Sequence, residues 1–227
     1  MSTLLLRLAA PMQSWGVGSK FDTRTTEREP TKSGVLGLLA AAFGIRRDDT
    51  EALLELSSLR FGVRVDREGA LLHDFHMAHG QKSDYVTHRY YLSDAIFLCG
   101  LESGDDALLE RCVQALTHPI FPLFLGRRSC PPTLPLVCGI REKDLETALR
   151  TEPRLCACDA PTRIVMDALA KNADSAPVRD VPLSFSPLRR EFGYRRCREI
   201  ILPGLEQTEH DPFAELEAEN VSDTHGT

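Results

Sequence analysis

The stretch PTKSGVLGLLAAAFG, residues 30–44, decides how this chain is read. Residues 33–43 predict a short helix that is apolar nearly all round, and therefore buried. Thr31 or Ser33 is placed to cap it. A helix entrance leaves backbone N–H groups unpaired and carries partial positive charge. Lys32 adds a full charge, and Gly34 permits close backbone approach. Thr31, Lys32, Ser33 and Gly34 thus read as a phosphate seat. The order of residues is wrong for a nucleotide P-loop, so ATP hydrolysis is disfavoured. An ordinary capped helix is the plainer alternative.

Working outward from this helix, residues 3–10 (TLLLRLAA) predict a buried strand. Residues 11–31 predict a polar loop punctuated by Pro11, Gly16, Gly18 and Pro30, with Lys20, Arg24 and Arg28 along it. A long loop in a domain of this size is usually either functional or disordered. Downstream, a second helix is expected over 50–58 and an alternating, half-exposed strand over 59–66. Residues 68–88 read as short extended pieces and a polar loop, 89–101 as a core strand, and 105–117 as a helix. Residues 118–140 form a Pro-rich extended segment. A further helix is expected over 142–150, with strands near 162–169, 179–185 and 197–202. The order strand, helix, strand, then strand, helix, strand predicts an α+β, ferredoxin-like sandwich with helices on one sheet face.

The chain of 227 residues is long enough to bury a substantial core. The longest apolar run, Val35–Phe43, is far too short to span a bilayer, and Met1–Leu8 reads as a strand and not as a signal peptide. Seven cysteines without a C-x-x-C pair point to reduced thiols in a cytoplasmic protein. The net charge of −6 hides an asymmetry: residues 206–227 hold seven acids and no Lys or Arg. Without that tail, 26 acidic groups face 27 basic ones. Local clusters then matter more than total charge for attracting a polyanion.

A second basic motif is Gly126-Arg127-Arg128-Ser129-Cys130, a glycine turn followed by paired arginines that either suit phosphates and base faces or form a solvated loop. Arg46 and Arg47 follow the first helix, next to two aspartates that can neutralise them. Gln13 and Trp15 sit in the loop after the first strand, where Trp15 either stacks on a base or anchors the loop to the core. Arg189, Arg190, Arg195, Arg196 and Arg198 make a late basic patch interleaved with Phe192 and Tyr194. It reads as an RNA face or as a charged edge strand. His73, His76 and His79 are spaced as metal ligands would be on a helix, but the surrounding residues suggest a hairpin.

The segments LLLRLAAPMQSWG (4–16), PTKSGVLGLLAAAFGIRRDD (30–49) and FLGRRSCPPTLPL (124–136) resemble the CasD family, the CasD-type subunits of type I-E CRISPR Cascade in the RAMP superfamily. The resemblance implies a ferredoxin-like, RRM-related domain over residues 1–205. A β-hairpin thumb inserted at about 73–91 would carry Lys82, His88, Arg89 and Tyr90. The tail, 206–227, is expected to be disordered. It also implies a non-catalytic protein without cofactor that caps the 5′ handle of the crRNA. Contacts with CasC-type backbone subunits and the CasA-type large subunit follow, with target DNA met only indirectly and no membrane. Pro30–Gly34 and Gly126–Cys130 would line the handle site, with Gln13, Trp15, Arg24, Arg28 and Arg46 nearby. A related type I-C subunit cleaves precursor RNA with a Tyr, Lys and His constellation. This chain has no adjacent Lys-His pair and no Tyr in its first helix. The alternatives are a metal-independent endoribonuclease using His76, His88, Lys82 and Tyr90, and a metal hydrolase using the 73–79 histidines.

Overall fold

Strand β1 (Ser2–Ala9) is buried at nearly every position because both of its faces are covered. Leu4, Leu6 and Leu8 enter the main core, and Leu5 enters a smaller one on the opposite face. The structure, a computed structural model, describes residues 1–17, 23–79, 84–157, 162–169, 174–186 and 188–202. After β1 come β2 (Met12–Gln13), β3 (Thr23–Arg24), α1 (Lys32–Phe43), α2 (Thr50–Ser57), β4 (Arg60–Arg67), β5 (Ala70–His79) and β6 (Asp84–Ser93). Then follow β7 (Ile96–Ser103), α3 (Asp106–Thr117), β8 (Val137–Arg141), α4 (Leu145–Thr151), β9 (Thr162–Asp167), β10 (Ala176–Ser184) and β11 (Glu191–Leu202). Lys82 and the acidic tail lie outside the described residues.

Seven strands form one sheet in the order β10-β11-β9-β4-β7-β1-β8, with every ladder antiparallel. A second sheet is built on β6. Strand β5 pairs with it antiparallel from Ala70↔Ser93 to His79↔Asp84, and short β2 and β3 dock on it as well. The chain is therefore α+β with mainly antiparallel sheets.

Helices α1 and α3 pack on one face of the large sheet, where Val35, Leu36, Leu39, Leu109 and Cys112 join the main core. The expectation that all helices share one face is corrected by α4. Its Leu145, Ala148 and Leu149 pack on the other face, against Leu5, Leu98, Ile164 and Met166. Buried Arg64 pins the end of α4, donating to the carbonyls of Leu149, Glu152 and Pro153 while paired with Asp66. A cation at these unpaired helix-end carbonyls completes hydrogen bonds the helix cannot make itself.

Local readings change at four places. Strand β4, expected to be half exposed, is buried from Phe61 to Asp66, because Phe61, Val63 and Val65 enter the main core and Gly62 lies against Leu145 and Leu149 of α4. The run 89–101 is two strands, because Asp94 adopts φ 57° and turns the chain between β6 and β7. The polar loop 11–31 contains β2 and β3, which are legible only once β6 is in place to pair them. Strand β11 starts six residues before the expected 197, so Arg195, Arg196 and Arg198 sit on a long hairpin strand that Arg189 and Arg190 precede.

Candidate nucleic-acid interface

Helix α1 begins at Thr31, whose hydroxyl accepts from the Gly34 N–H at 3.2 Å. The indole of Trp15 lies against this turn. A Cβ on Gly34 would sit 2.8 Å from Trp15 Cε3, so only glycine admits the ring. Trp15 is 1% exposed, and its Nε1 donates to Gln13 Oε1 at 3.1 Å. Gln13 in turn donates to the carbonyls of Ala95 and Leu8. The reading of Gln13 and Trp15 as RNA contacts is thus corrected: both are buried and anchor the loop to the core.

Lys32 is corrected in the same way. It is buried, and its Nζ pairs with Asp167 Oδ2 at 3.2 Å. Its backbone N–H donates to Asp180 Oδ2 at 2.8 Å. Arg195 joins the two acids, contacting Asp180 through Nε at 2.6 Å and Asp167 through Nη1 at 2.8 Å. Asp167 also accepts from the Phe61 N–H, and the Arg195 guanidinium lies over the Phe61 ring. The first helix turn therefore carries an internal carboxylate where an anion was expected. Desolvation opposes the charge on Arg195, but hydrogen bonding and attraction from Asp180, then Asp167, raise its pKa further still.

The arginine turn stands across from this entrance. Gly126 has φ 93°, and a Cβ there would lie 1.7 Å from the Ser14 carbonyl oxygen, so the turn requires glycine. The Leu125 N–H donates to the Cys130 carbonyl and the Ser14 N–H to the Leu125 carbonyl, tying the turn to the loop that carries Trp15. Arg127 folds inward. Its Nη2 donates to the Arg24 carbonyl at 2.7 Å, and its guanidinium lies 4.6 Å from the Tyr91 ring centroid. Burial raises the Tyr91 phenol pKa, but hydrogen bonds with Arg127 and Ser129 and the guanidinium charge bring it below its ordinary value. Cys130 is corrected: it is 1% exposed in the main core. Arg128 and Ser129 are exposed.

Between entrance and turn runs a groove of about 1180 Å³. Its floor is the small-residue side of α1 at Gly34, Gly37 and Ala41, and Thr31 and Ser33 close one end. Arg24, Arg46, Arg47, Arg127, Arg128 and Arg190 line it, against Asp48 as the single carboxylate among the described residues. Phe121, Phe124, Phe185 and Phe192 supply aromatic wall. Arg46 lies 3.6 Å from Asp48, but both are largely exposed, so the pair neutralises little. The volume exceeds the roughly 300–1,000 Å³ of small-ligand sites. Positive charge clustered on low-dielectric walls attracts a polyanion.

Arg28 is not in this groove. It pairs with Glu68 at 3.1 Å, beside a separate, smaller depression. His88, Arg89 and Tyr90 lie on the β5–β6 hairpin. There His73 Nε2 and His88 Nδ1 are 3.0 Å apart, with His73 stacked on Tyr90. Strand alternation puts His76 on the opposite face from His73, His79, His88 and Tyr90. The endoribonuclease constellation of His76 with His88 and Tyr90 is therefore not gathered, and neither are the three histidines as ligands. Among the described residues no group of three or more metal-ligating side chains forms.

Sequence reasoning missed Asp167, Asp180, Tyr91, Phe185 and the inward role of Arg195. The one available signal was an acid at 180, set beside Arg179 between Val178 and Val181. Its partners come from distant segments.

The family described as "CRISPR-associated protein (Cas_Cas5)" matches residues 3–198, which take in every wall of the groove. The chain belongs to this Cas5 family. This Cas5 chain is 42% identical over 158 residues to "CRISPR system Cascade subunit CasD" of Escherichia coli (strain K12), covering 61% of the chain and 70% of that protein. It is similar to a solved structure titled "Crystal structure of Cas protein", with 42% identity and a TM-score of 0.72 over 89% of this chain and 95% of that one. A chain of a structure titled "CRISPR RNA-guided surveillance complex" matches with 32% identity and a TM-score of 0.73, over 88% and 89% of the two chains. Among the described residues of the Cas5 chain, no helix is long and apolar enough to cross a membrane.

Proposed function

We propose that this Cas5 chain is the CasD-type subunit of a type I-E CRISPR surveillance complex, and that its groove holds the 5′ handle of the crRNA. The carrying observation is convergence. Arginines from four separate segments (Arg24, Arg46 and Arg47, Arg127 and Arg128, Arg190) line one groove with a single carboxylate among the described residues. Aromatic walls beside guanidinium groups suit single-stranded RNA, whose unstacked bases and phosphates need both. The names of the E. coli relative and of the surveillance complex support the same reading.

The finer architecture is part of this proposal. Helices α1 and α3 cross between β1, β4, β7 and β8, whose order in the sheet is β4-β7-β1-β8. This order supports reading them as a ferredoxin-like unit. The β5–β6 hairpin is the thumb, set within one domain over 1–205, and 206–227 is a disordered acidic tail. CasC-type backbone subunits and the CasA-type large subunit are the protein neighbours, in the cytoplasm, and target DNA is met through the complex. The protein is non-catalytic and without cofactor.

Titration of labelled handle-bearing RNA tests this reading. Arg128→Ala is expected to weaken binding and make the salt dependence shallower by about 0.7 in log–log slope, one phosphate contact on a single strand. Unchanged affinity and slope would remove the groove from the RNA path. Incubating the full chain with repeat RNA in EDTA is expected to leave the RNA intact; a discrete cut would overturn the non-catalytic assignment.

A further inference from the structure

Phe192, Tyr194, Arg196 and Arg198 alternate along β11 and so share one of its faces. The first of them lines the groove. Tyr194 is 71% exposed, and Arg196 is exposed beside it. On the paired strand, exposed Arg179 donates through Nε to the Phe192 carbonyl at 3.3 Å, and its guanidinium carbon stands 6.0 Å from the Tyr194 ring centroid. Arg196 is held by neutral groups, the hydroxyl and carbonyl of Ser175, each at 2.7 Å. Neither Arg179 nor Arg196 forms an ion pair among the described residues. Arg198 differs, because Glu146 of α4 pairs with it.

The opposite face of the same strands is different in kind. There Arg195 and Asp180 are locked into the buried network under α1. The outer row therefore offers positive charge at 179 and 196, without an ion-pair partner among the described residues, around one exposed ring, begins at the groove and stops where Glu146 neutralises it. An apolar partner would not be met by two guanidinium groups, and a cationic one would be repelled. Charge and ring together fit a strand of nucleic acid, with the base face on Tyr194 and phosphates on the flanking arginines.

We propose that the outer face of the β10–β11 hairpin is a second binding surface for single-stranded nucleic acid, continuous with the groove and lengthening the path it offers. This rests on the groove holding RNA, as proposed above. Fluorescence anisotropy on the full chain tests it, with two single-stranded RNAs sharing a 5′ sequence, about 4 and about 16 nucleotides long, the span of ordinary single-strand site sizes. The double variant Arg179→Gln/Arg196→Gln is expected to bind the long RNA about tenfold more weakly, with a salt slope shallower by about 1.4, two phosphates at about 0.7 each. The short RNA is expected to bind as it does to the wild type. Tyr194→Ala is expected to lower long-RNA affinity without changing the slope. The lysine pair, Arg179→Lys/Arg196→Lys, keeps the charge and is expected to keep the slope, which separates lost contact from lost fold. Long-RNA affinity and slope equal to wild type in the glutamine variant would overturn the surface while leaving the groove standing. Capture of polyglutamate through the same arginines, with no gain from RNA length, would overturn it in favour of an acidic protein partner. A wild-type chain that binds neither RNA would overturn the groove reading and this extension with it.

Discussion

Lys32 and Arg128 are both basic residues in motifs that invite a phosphate, yet the fold uses them in opposite ways. Lys32 is turned inward onto Asp167, while Arg128 faces the groove. Lys32→Met is therefore expected to act on stability. Removing one partner of a buried ion network costs about 3–5 kcal/mol, to be read from chemical denaturation. Arg128→Ala is expected to change stability by no more than about 0.5 kcal/mol. A Lys32→Met protein as stable as wild type would contradict the inward assignment. Gly126→Ala places a side chain on the Ser14 carbonyl at a positive φ. It is expected to destabilise by about 1–3 kcal/mol and to displace Arg127 and Arg128 together; wild-type RNA affinity in this variant would contradict that coupling. Sequence alone showed which residues were charged near the site. It did not show which way each pointed, because the acids that claim Lys32 lie 135 and 148 residues away.

At the scale of elements, α1 is held from beneath by β9, β10 and β11 through Asp167, Asp180 and Arg195. Asp180→Asn is expected to loosen the first turn of α1, seen as faster amide exchange at Lys32 than in the rest of the helix. Equal protection along α1 in variant and wild type would count against that coupling. Helix α3 and strand β11 add a pH dependence. Burial pushes the Cys112 thiol up to about 11 and the Cys197 thiol up to about 12. Each folded value exceeds the ordinary 9.0, so the stability that burial of the neutral thiol contributes is complete below pH 9 and is lost as pH rises through the folded values. Denaturation midpoints are expected to fall between about pH 9 and 11, and Cys112→Ala to flatten the fall. A slope unchanged by Cys112→Ala would assign the alkaline loss elsewhere. Segments with strong periodicity, such as α3 and β4, were legible from their residues, and α1 from its cap and its continuous apolar run. Strands β2 and β3 were not, because two residues carry no periodicity and their pairing partner is distant.

Across the whole molecule, the α+β class followed from the order of its periodic segments. The second sheet and the placement of α4 on the far face depended on contacts that no local pattern encodes. The same holds for the groove: its two expected walls, near 31–34 and 126–128, do meet, but the contribution of Phe185, Arg190 and Phe192 arrives through a hairpin whose register only the assembled sheet sets. What the molecule presents to solvent there is positive charge gathered from segments far apart in the chain. The most direct measurement is the salt dependence of handle-RNA binding by the triple variant Arg46→Ala/Arg128→Ala/Arg190→Ala. Its slope is expected to be shallower than wild type by about 2, three phosphate contacts at about 0.7 each, with the thermal midpoint kept. Affinity and slope indistinguishable from wild type would contradict the convergence of these segments on one RNA strand.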